Sequence, residues 1–420
     1  MKRILILGGG FGGIRCALDI GKKLKGKILA GQIEITLIDK KGYHLFVPAL
    51  YEVASAYGIK KDPFAVRLKK TICIPYSDIF SADKGVNFIQ AEVFSIDLEN
   101  KKVATRGGEI LDYDYLVIAL GGQAADFGIP GVKEYAFQFK SLEDGLALNQ
   151  KLEQLTKEIT SGVRQVPIKI AVVGAGFTGI ELAAELACCI KKLFKSCNIK
   201  GKCERVILLE ARSAILPMVS GAERNIILKR LTVLGIEVME NSVVEEVGSD
   251  CVKLKNGKRL ETDLIIWSAG MRPIDLLEKY TALLLTEKKK IKVDTKLRAA
   301  DLSGVFALGD SVEFIDPKTL KPVPALAYVA VDQGKVVAKN IINLIKGARM
   351  IDYSPFYSAW IAPVGGKYAL AHIGGRLLFK GLLGWLAREI VDFRYMVSIL
   401  SFKNAVFIMW QEINVFIKND

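Results

Sequence analysis

Residues 2–13, KRILILGGGFGG, decide the fold of this 420-residue chain. Ile4, Leu5, Ile6 and Leu7 form a short apolar run that ends on glycines. Gly8, Gly10 and Gly13 fit G-x-G-x-x-G, and Ile14, Ala17 and Leu18 begin an amphipathic stretch behind them. That order predicts a strand, a tight turn and a helix. The first glycine permits the turn, the second lets the backbone approach a diphosphate, and the third lets helix close on strand. The helix N-terminus then offers unpaired N–H groups to an anion. A single glycine fingerprint also occurs in plain turns, so the rest of the chain has to be read for its partners.

The partners are present. A second apolar stretch, residues 33–38 (IEITLI), ends on Asp39, where an acid can hold a ribose diol and repel a 2′-phosphate. The whole pattern then repeats. Ile168–Val173 (IKIAVV) runs into Gly174, Gly176 and Gly179, a helical stretch follows, and residues 205–209 end on Glu210. Residues 115–120 (YLVIAL) with Gly121 and Gly122 are echoed by Leu264–Trp267 (LIIW) with Ser268, Ala269 and Gly270. Residues 304–308 (GVFAL) end on Gly309 and Asp310, at a strand end where an Asp can hold the middle of a bound dinucleotide. The expected fold is α/β: two Rossmann-like dinucleotide-binding domains, the second inserted in the first, followed by a C-terminal amphipathic region. The boundaries read as 1–140 and 286–350 for the first domain, 141–285 for the second and 351–420 for the tail.

Composition narrows the partners. The net charge is +14, with 51% hydrophobic residues. Nucleic acid, a lipid surface or an acidic partner each suits such a charge, but no nucleic-acid-binding motif is visible. The seven cysteines form no C-x-x-C and no zinc spacing, so reduced thiols are expected. The two histidines, His44 and His372, read as structural residues, and no metal site is expected. No targeting leader is read ahead of the first strand. No apolar run approaches the ~20 residues of a membrane-spanning helix. Two stretches stay open: residues 43–54 (YHLFVPALYEVA) as core or as the floor of a cofactor pocket, and the basic residues Lys60, Lys61, Arg67, Lys69 and Lys70, which suit a solvated face.

GGGFGG, YHLFVPALYEVA, VVGAGFTGIELAAEL, ILLEARSAILP, IIWSAGMRP and VFALGD together resemble the two-dinucleotide-binding-domain flavoproteins. Within these the sequence is most similar to type II NADH dehydrogenases, the NADH:quinone oxidoreductases. The resemblance implies flavin-dependent, non-proton-pumping oxidation of NADH with two-electron reduction of a membrane quinone. It implies non-covalent FAD along Gly8, Gly9, Gly10, Phe11, Gly12 and Gly13, with Asp39 and Lys40 at the adenosine ribose and Val93 at the adenine. Gly309 and Asp310 would meet the ribityl–phosphate region, and Ala327 and Tyr328 the flavin ring. NADH would use Gly174, Gly176, Thr178, Gly179 and Glu210, with Gly270 near the nicotinamide. Glu181 matches an acid near the nicotinamide–flavin contact; on its own it reads equally as an acid in the first helical turn. Glu181 and Tyr328 are the catalytic candidates.

The chain departs from the family in two places. Where relatives often carry A-Q-x-A-x-Q at the quinone pocket, it reads Ala327-Tyr328-Val329-Ala330-Val331-Asp332, with Gln333 next. Arg388 stands near a position where many members carry Lys or Trp. The tail from residue 379 places apolar residues at helical spacing, with Lys380, Arg388, Arg394 and Lys403 among them. It reads as an interfacial anchor on anionic lipid, with Trp385 and Trp410 at the headgroup level, or as a core or homodimer helix pair. The expected location is peripheral, on the cytoplasmic face of the inner membrane. Three rivals remain: a sulfide:quinone oxidoreductase, an NADH-dependent reductase of a small redox protein, and a non-enzymatic FAD/NAD redox sensor. Disulfide reductases of this superfamily use paired cysteines beside the flavin, and this chain has no such spacing.

Overall fold

Lys2–Leu7 forms the middle strand of a five-stranded parallel sheet. Its neighbours are Ile33–Asp39 on one side and Tyr115–Ile118 on the other. Val305–Ala307 and Asn87–Gln90 complete the two edges. Alternate residues point to opposite faces. Ile4 and Ile6 join the core beneath the helices, whereas Leu5 and Leu7 join a separate apolar cluster with Ile96 and Val103. Burial on both faces is why this strand is apolar without alternation. The computed structural model describes the chain except residues 56–70, 82–83, 197–203, 281–282, 300–301, 357–358 and 418–420. The basic run at 60–70, Cys197 and Cys203 therefore lie outside the described residues.

A second five-stranded parallel sheet has the order Phe137–Gln138, Leu264–Trp267, Ile168–Val173, Glu204–Leu209, Glu237–Met239. It repeats the first in its layers. Ile170 and Val172 face the helices, while Ala171 and Val173 face a three-stranded antiparallel sheet through Val252 and Leu254. Between the two sheets, Gly122–Ala124 pairs antiparallel with Met271–Pro273. The helix Phe11–Leu29 packs on the helix Ala327–Ile345 through reciprocal glycines. A Cβ on Gly12 would stand 2.7 Å from the Ala330 carbonyl oxygen, and one on Gly334 would stand 2.4 Å from that of Gly12.

The C-terminal region differs from its reading only at the start of the helical stretch placed from residue 379. Leu377–Gly381 is a strand, paired with Ala369–Ile373, which in turn pairs with Trp360–Pro363. Gly374 and Gly375, both at positive φ, turn this hairpin, and Gly381 at φ +68° ends it. Helices follow at Leu382–Ile399 and Phe402–Ile417. The first is inverted relative to an ordinary surface helix. Gly384, Arg388, Glu389, Asp392 and Met396 point inward, whereas Leu382, Leu383, Leu386, Ile390 and Val391 are exposed, Ile390 by 67%. A Cβ on Gly384 would lie 2.1 Å from the Ala369 carbonyl oxygen, so the helix is seated directly on the small sheet. No helix among the described residues is long and apolar enough to cross a membrane.

Candidate active site

The two glycine turns are built alike. Gly8 and Gly174 sit at φ +103° and +100°, the left-handed region that a Cβ disfavours. Gly8 N–H donates to the Ile38 carbonyl at 2.8 Å, and Gly174 N–H to that of Leu209 at 2.8 Å. A Cβ on Gly13 would come within 2.0 Å of the Gly8 carbonyl oxygen, and one on Gly179 within 1.9 Å of that of Gly174. The strand-end acids also match. Asp39 accepts from Gly9 N–H at 2.7 Å and Lys41 N–H at 2.9 Å. Glu210 accepts from Ala175 N–H at 2.9 Å and Arg212 N–H at 3.0 Å. Each acid thus fixes the loop it serves.

The middle glycines test whether these loops suit a dinucleotide. A Cβ on Gly10 or Gly176 would meet nothing within 4 Å, so packing inside the protein does not require glycine at either place. Nor does backbone strain: Gly10 is extended, at φ −74° and ψ −173°. What remains is the space itself. A bare backbone facing open volume at a helix N-terminus fits the diphosphate of FAD or NADH.

The volume in front of Gly10 is a cleft of about 560 Å³. From the first unit its walls carry Gly8, Gly9, Gly10, Phe11, Gly12, Asp39, Gly309, Asp310, Ala327 and Tyr328. From the second they carry Thr178, Glu181 and Gly270. Gly13, Gly174, Gly176, Gly179 and Glu210 are not among the lining residues; they shape the loops behind them. A second cavity, of about 390 Å³, continues past Asp39 and is lined by Lys40 and Val93. The 43–54 stretch serves both readings offered for it. Tyr43, His44, Leu45, Val47, Pro48 and Tyr51 line the cleft, whereas Ala49, Leu50, Val53 and Ala54 are buried core.

Glu181 is the fifth residue of the helix Phe177–Ser196, beyond the first turn, so it is not a dipole-satisfying N-terminal acid. It opens onto the cleft, and burial pushes its carboxyl up to about 8 against the opposing field of Arg388. At neutral pH it holds a proton. Arg388 is 5% exposed and stands among three carboxylates. It lies 2.6 Å from Glu52 Oε1, 3.2 Å from Asp392 Oδ2 and 3.9 Å from Glu389 Oε1. One guanidinium cannot neutralise three buried carboxylates. Burial accordingly raises Glu52, lifts Glu389 to about 7 and lifts Asp392 to about 6.

Several site residues carried no local signal. Lys140 Nζ lies 3.3 Å from Asp310 Oδ2. Buried Gln333 accepts from Gly309 N–H at 2.7 Å, so the glutamine one step past the altered family stretch sets the turn before Asp310. Tyr76 Oη donates to the Gly9 carbonyl at 2.8 Å. The described lining of the cleft includes no cysteine. Cys188 and Cys189 lie on the Phe177–Ser196 helix, where burial pushes their thiols up to about 11 and about 12, against thiolate chemistry.

A family model described as pyridine nucleotide-disulphide oxidoreductase matches residues 2–334. Over 97% of its length the chain is 30% identical to a type II NADH:quinone oxidoreductase of Staphylococcus haemolyticus, covering 99% of that protein. The chain belongs to this branch of the family. It is 28% identical, over the same share of its length, to the enzyme of that name in Staphylococcus aureus. By fold it matches a structure of NDH2 from Plasmodium falciparum in complex with NADH, with TM-score 0.82, 20% identity and coverage of 99% of this chain and 98% of that one. The sulfide:quinone oxidoreductase of Aquifex aeolicus matches with TM-score 0.76 and 20% identity, over 96% of this chain and 92% of that one. The shared fold does not separate these two chemistries.

Proposed function

We propose that the chain oxidises NADH through a bound FAD and passes the electrons to a membrane quinone. The observation that carries this reading is that both glycine units open onto one cleft, with Gly10 and Asp310 of the first facing Thr178, Glu181 and Gly270 of the second. FAD, held by the first unit with Asp39 at its ribose, would supply the hydride acceptance and the two-electron release. NADH would lie along Gly174, Gly176, Thr178 and Gly179, with Glu210 at its ribose and Gly270 near the nicotinamide. The Val305–Ala307 strand returning to the first sheet supports an inserted second domain, with 1–140 and 286–350 as the first, 141–285 as the insert and 351–420 as the tail. Phe137–Gln138 pairs into the second sheet and Val132 packs in that unit's core, which favours a first crossing ahead of residue 132 over one at 140.

The chain's own groups supply alignment and protons. Tyr328 and Ala327 stand at the start of the Ala327–Ile345 helix, on the cleft wall, where a flavin ring would rest. Glu181 holds a proton at neutral pH and can give it up inside the cleft. The rate that depends on this proton is expected to fall as pH rises through about 8. Glu181→Gln should flatten that limb; an unchanged pH profile would remove Glu181 from proton supply. The direct test of the function is optical. The purified protein should be yellow, bleach with NADH in the absence of oxygen, and recover with a quinone. Bleaching by sulfide without NADH would favour the sulfide:quinone chemistry instead, and bleaching that no quinone reverses would favour a sensor.

Glu210 favours NADH over NADPH by repelling a 2′-phosphate, while Arg212 beside it is exposed. Losing charge-assisted hydrogen bonds worth about 1.5–3 kcal/mol, Glu210→Ala should raise the KM for NADH roughly ten- to a hundredfold. The KM for NADPH should rise less, and equal losses with both nucleotides would contradict the assignment.

The inverted tail helix supports a peripheral seat on a lipid surface, which we place at the cytoplasmic face of the inner membrane. Arg388, Glu389 and Asp392 point into the fold and its leucines point out, an arrangement that water does not favour. Trp410 is 62% exposed beside Phe407 and Phe402, with Lys403 and Arg394 exposed near them, a mixture suited to anionic headgroups. Trp385 is half-buried. Deleting the tail would also remove Arg388 from the core, so exposed positions make the cleaner test. Leu383→Glu, Ile390→Glu and Phe407→Glu together should abolish sedimentation with anionic vesicles and leave NADH bleaching of the flavin intact. Unchanged sedimentation would rule out this face as the anchor.

A further inference from the structure

Each glycine loop is backed by an aromatic contact from the C-terminal region. Phe177, in the second loop, packs on Trp360 with ring centroids 5.8 Å apart, and Trp360 stacks on His372 at 5.9 Å. His372 in turn pairs with Glu223. Phe11, in the first loop, packs on Tyr395 of the Leu382–Ile399 helix at 4.9 Å and edge-on against His44 at 4.8 Å. His44 Nδ1 lies 3.2 Å from the Gly9 carbonyl oxygen, and its Nε2 lies 2.9 Å from Tyr395 Oη.

The chain behind the first loop has a determined direction. A carbonyl oxygen only accepts, so His44 Nδ1 carries the hydrogen. Burial pushes the imidazole down to about 4, so the ring is neutral and Nε2 is bare. Tyr395 must then donate to it. Gly9 C=O thus receives two donors from the core side, His44 and Tyr76. Across a planar trans peptide, the Gly10 N–H points opposite to the Gly9 C=O. Holding the carbonyl against the core therefore aims the Gly10 N–H outward, on the side where a Cβ on Gly10 would meet open space. Arg15 Nη1, on the helix after this loop, adds a bond to the Ser398 carbonyl at 3.3 Å, one turn past Tyr395.

We infer that Tyr395 is a positioning residue for the flavin site: through His44 it orients the Gly9–Gly10 peptide toward the FAD diphosphate, so the seating of the C-terminal helix is part of what retains FAD. The inference rests on the assignment of FAD to the first loop. Tyr395→Phe keeps the ring against Phe11 and removes only the donor. Retention of FAD, read as flavin fluorescence released on dilution of the holoprotein, should weaken about three- to tenfold, as expected for one hydrogen bond. The flavin-stripped protein should lose some thermal stability, because His44 Nε2 is left without its donor, and the holoprotein should lose more, by the weakened hold on FAD. Val397→Ala, an exposed side chain on the same helix, is the control and should retain FAD as the parent does. Equal FAD retention in Tyr395→Phe and the parent overturns the inference, as does a loss of apoprotein stability that accounts for the whole change. If the parent itself purifies without flavin, the assignment of FAD fails instead.

Discussion

Replacing Arg388 with methionine should cost the folded protein about 3–5 kcal/mol at neutral pH, the usual penalty for stripping a buried ion pair of one partner. Glu52, 3% exposed, would lose the cation at Oε1, and its Oε2 already has no hydrogen-bond partner among the described residues. Denaturant unfolding of the flavin-loaded protein measures the loss. The double variant Arg388→Met with Glu52→Leu should recover only part of it, because Glu52 is no longer an orphaned charge but Asp392 and Glu389 still lose their cation. The groups facing Arg388 come from three helices. Tyr51 and Glu52 lie on Leu50–Ser55, Glu181 and Glu185 on Phe177–Ser196, and Glu389 and Asp392 on its own helix.

The cluster also sets a pH dependence with a definite sign. Glu389 and Asp392 titrate near 7 and 6 in the folded state, above the ordinary carboxylate value of about 4. Between these limits the native state keeps protons that the unfolded chain has released. Their contribution is complete below about pH 4 and is lost as pH rises through about 6 to 7. Parent stability should therefore decline between about pH 4 and 7 at this site and level off above, and Glu389→Gln should shallow that slope. A slope unaffected by the substitution would place the proton uptake elsewhere.

Gly10→Val is the second large effect, and it should fall on the flavin and not on the fold. The Cβ of the added side chain meets no protein atom within 4 Å and the backbone angles suit any residue, so the flavin-free protein should lose only the modest N-cap preference that glycine holds over valine. The same atoms would occupy the space assigned to the diphosphate. An overpacking cost of about 1–3 kcal/mol corresponds to roughly a tenfold to hundredfold weaker hold on FAD, measured by titrating flavin into stripped protein. Gly13→Val makes the contrast. Its Cβ would strike the Gly8 carbonyl oxygen at 2.0 Å, so both folding and flavin should suffer. Equal flavin affinity in Gly10→Val and the parent would remove the first loop from the FAD site.

Much of this site is legible along the sequence because glycine loops are local. Gly8, Gly13, Gly174 and Gly179 act through backbone within their own turn, and the spacing of a few residues carries the whole constraint. The residues that brace those loops are not local. Arg388 meets Glu52 across 336 positions, and Tyr395 meets His44 across 351. No period or motif joins them; only the seating of the tail on the two nucleotide units does. The tail itself shows why helical spacing is half an answer. The apolar period of residues 382–399 is plain, but the side that faces inward is the charged one. Glu52 and the Arg388 guanidinium make that burial tolerable, and neither signals the other in sequence.

The matched bonding of Asp39 and Glu210 has a consequence for how these positions can be altered. In both carboxylates each oxygen receives a backbone N–H: Gly9 and Lys41 in one, Ala175 and Arg212 in the other. A carboxamide has one oxygen and one NH2. Whichever way the new amide were turned in Asp39→Asn or Glu210→Gln, a donor would confront a donor. The isosteric amide, ordinarily the mildest replacement for an acid, is here the one that pushes the loop out of place. Alanine merely leaves two N–H groups for water. Symmetry between the units extends this to both: Asp39→Asn and Glu210→Gln should each disturb their own nucleotide more than the alanine variants do.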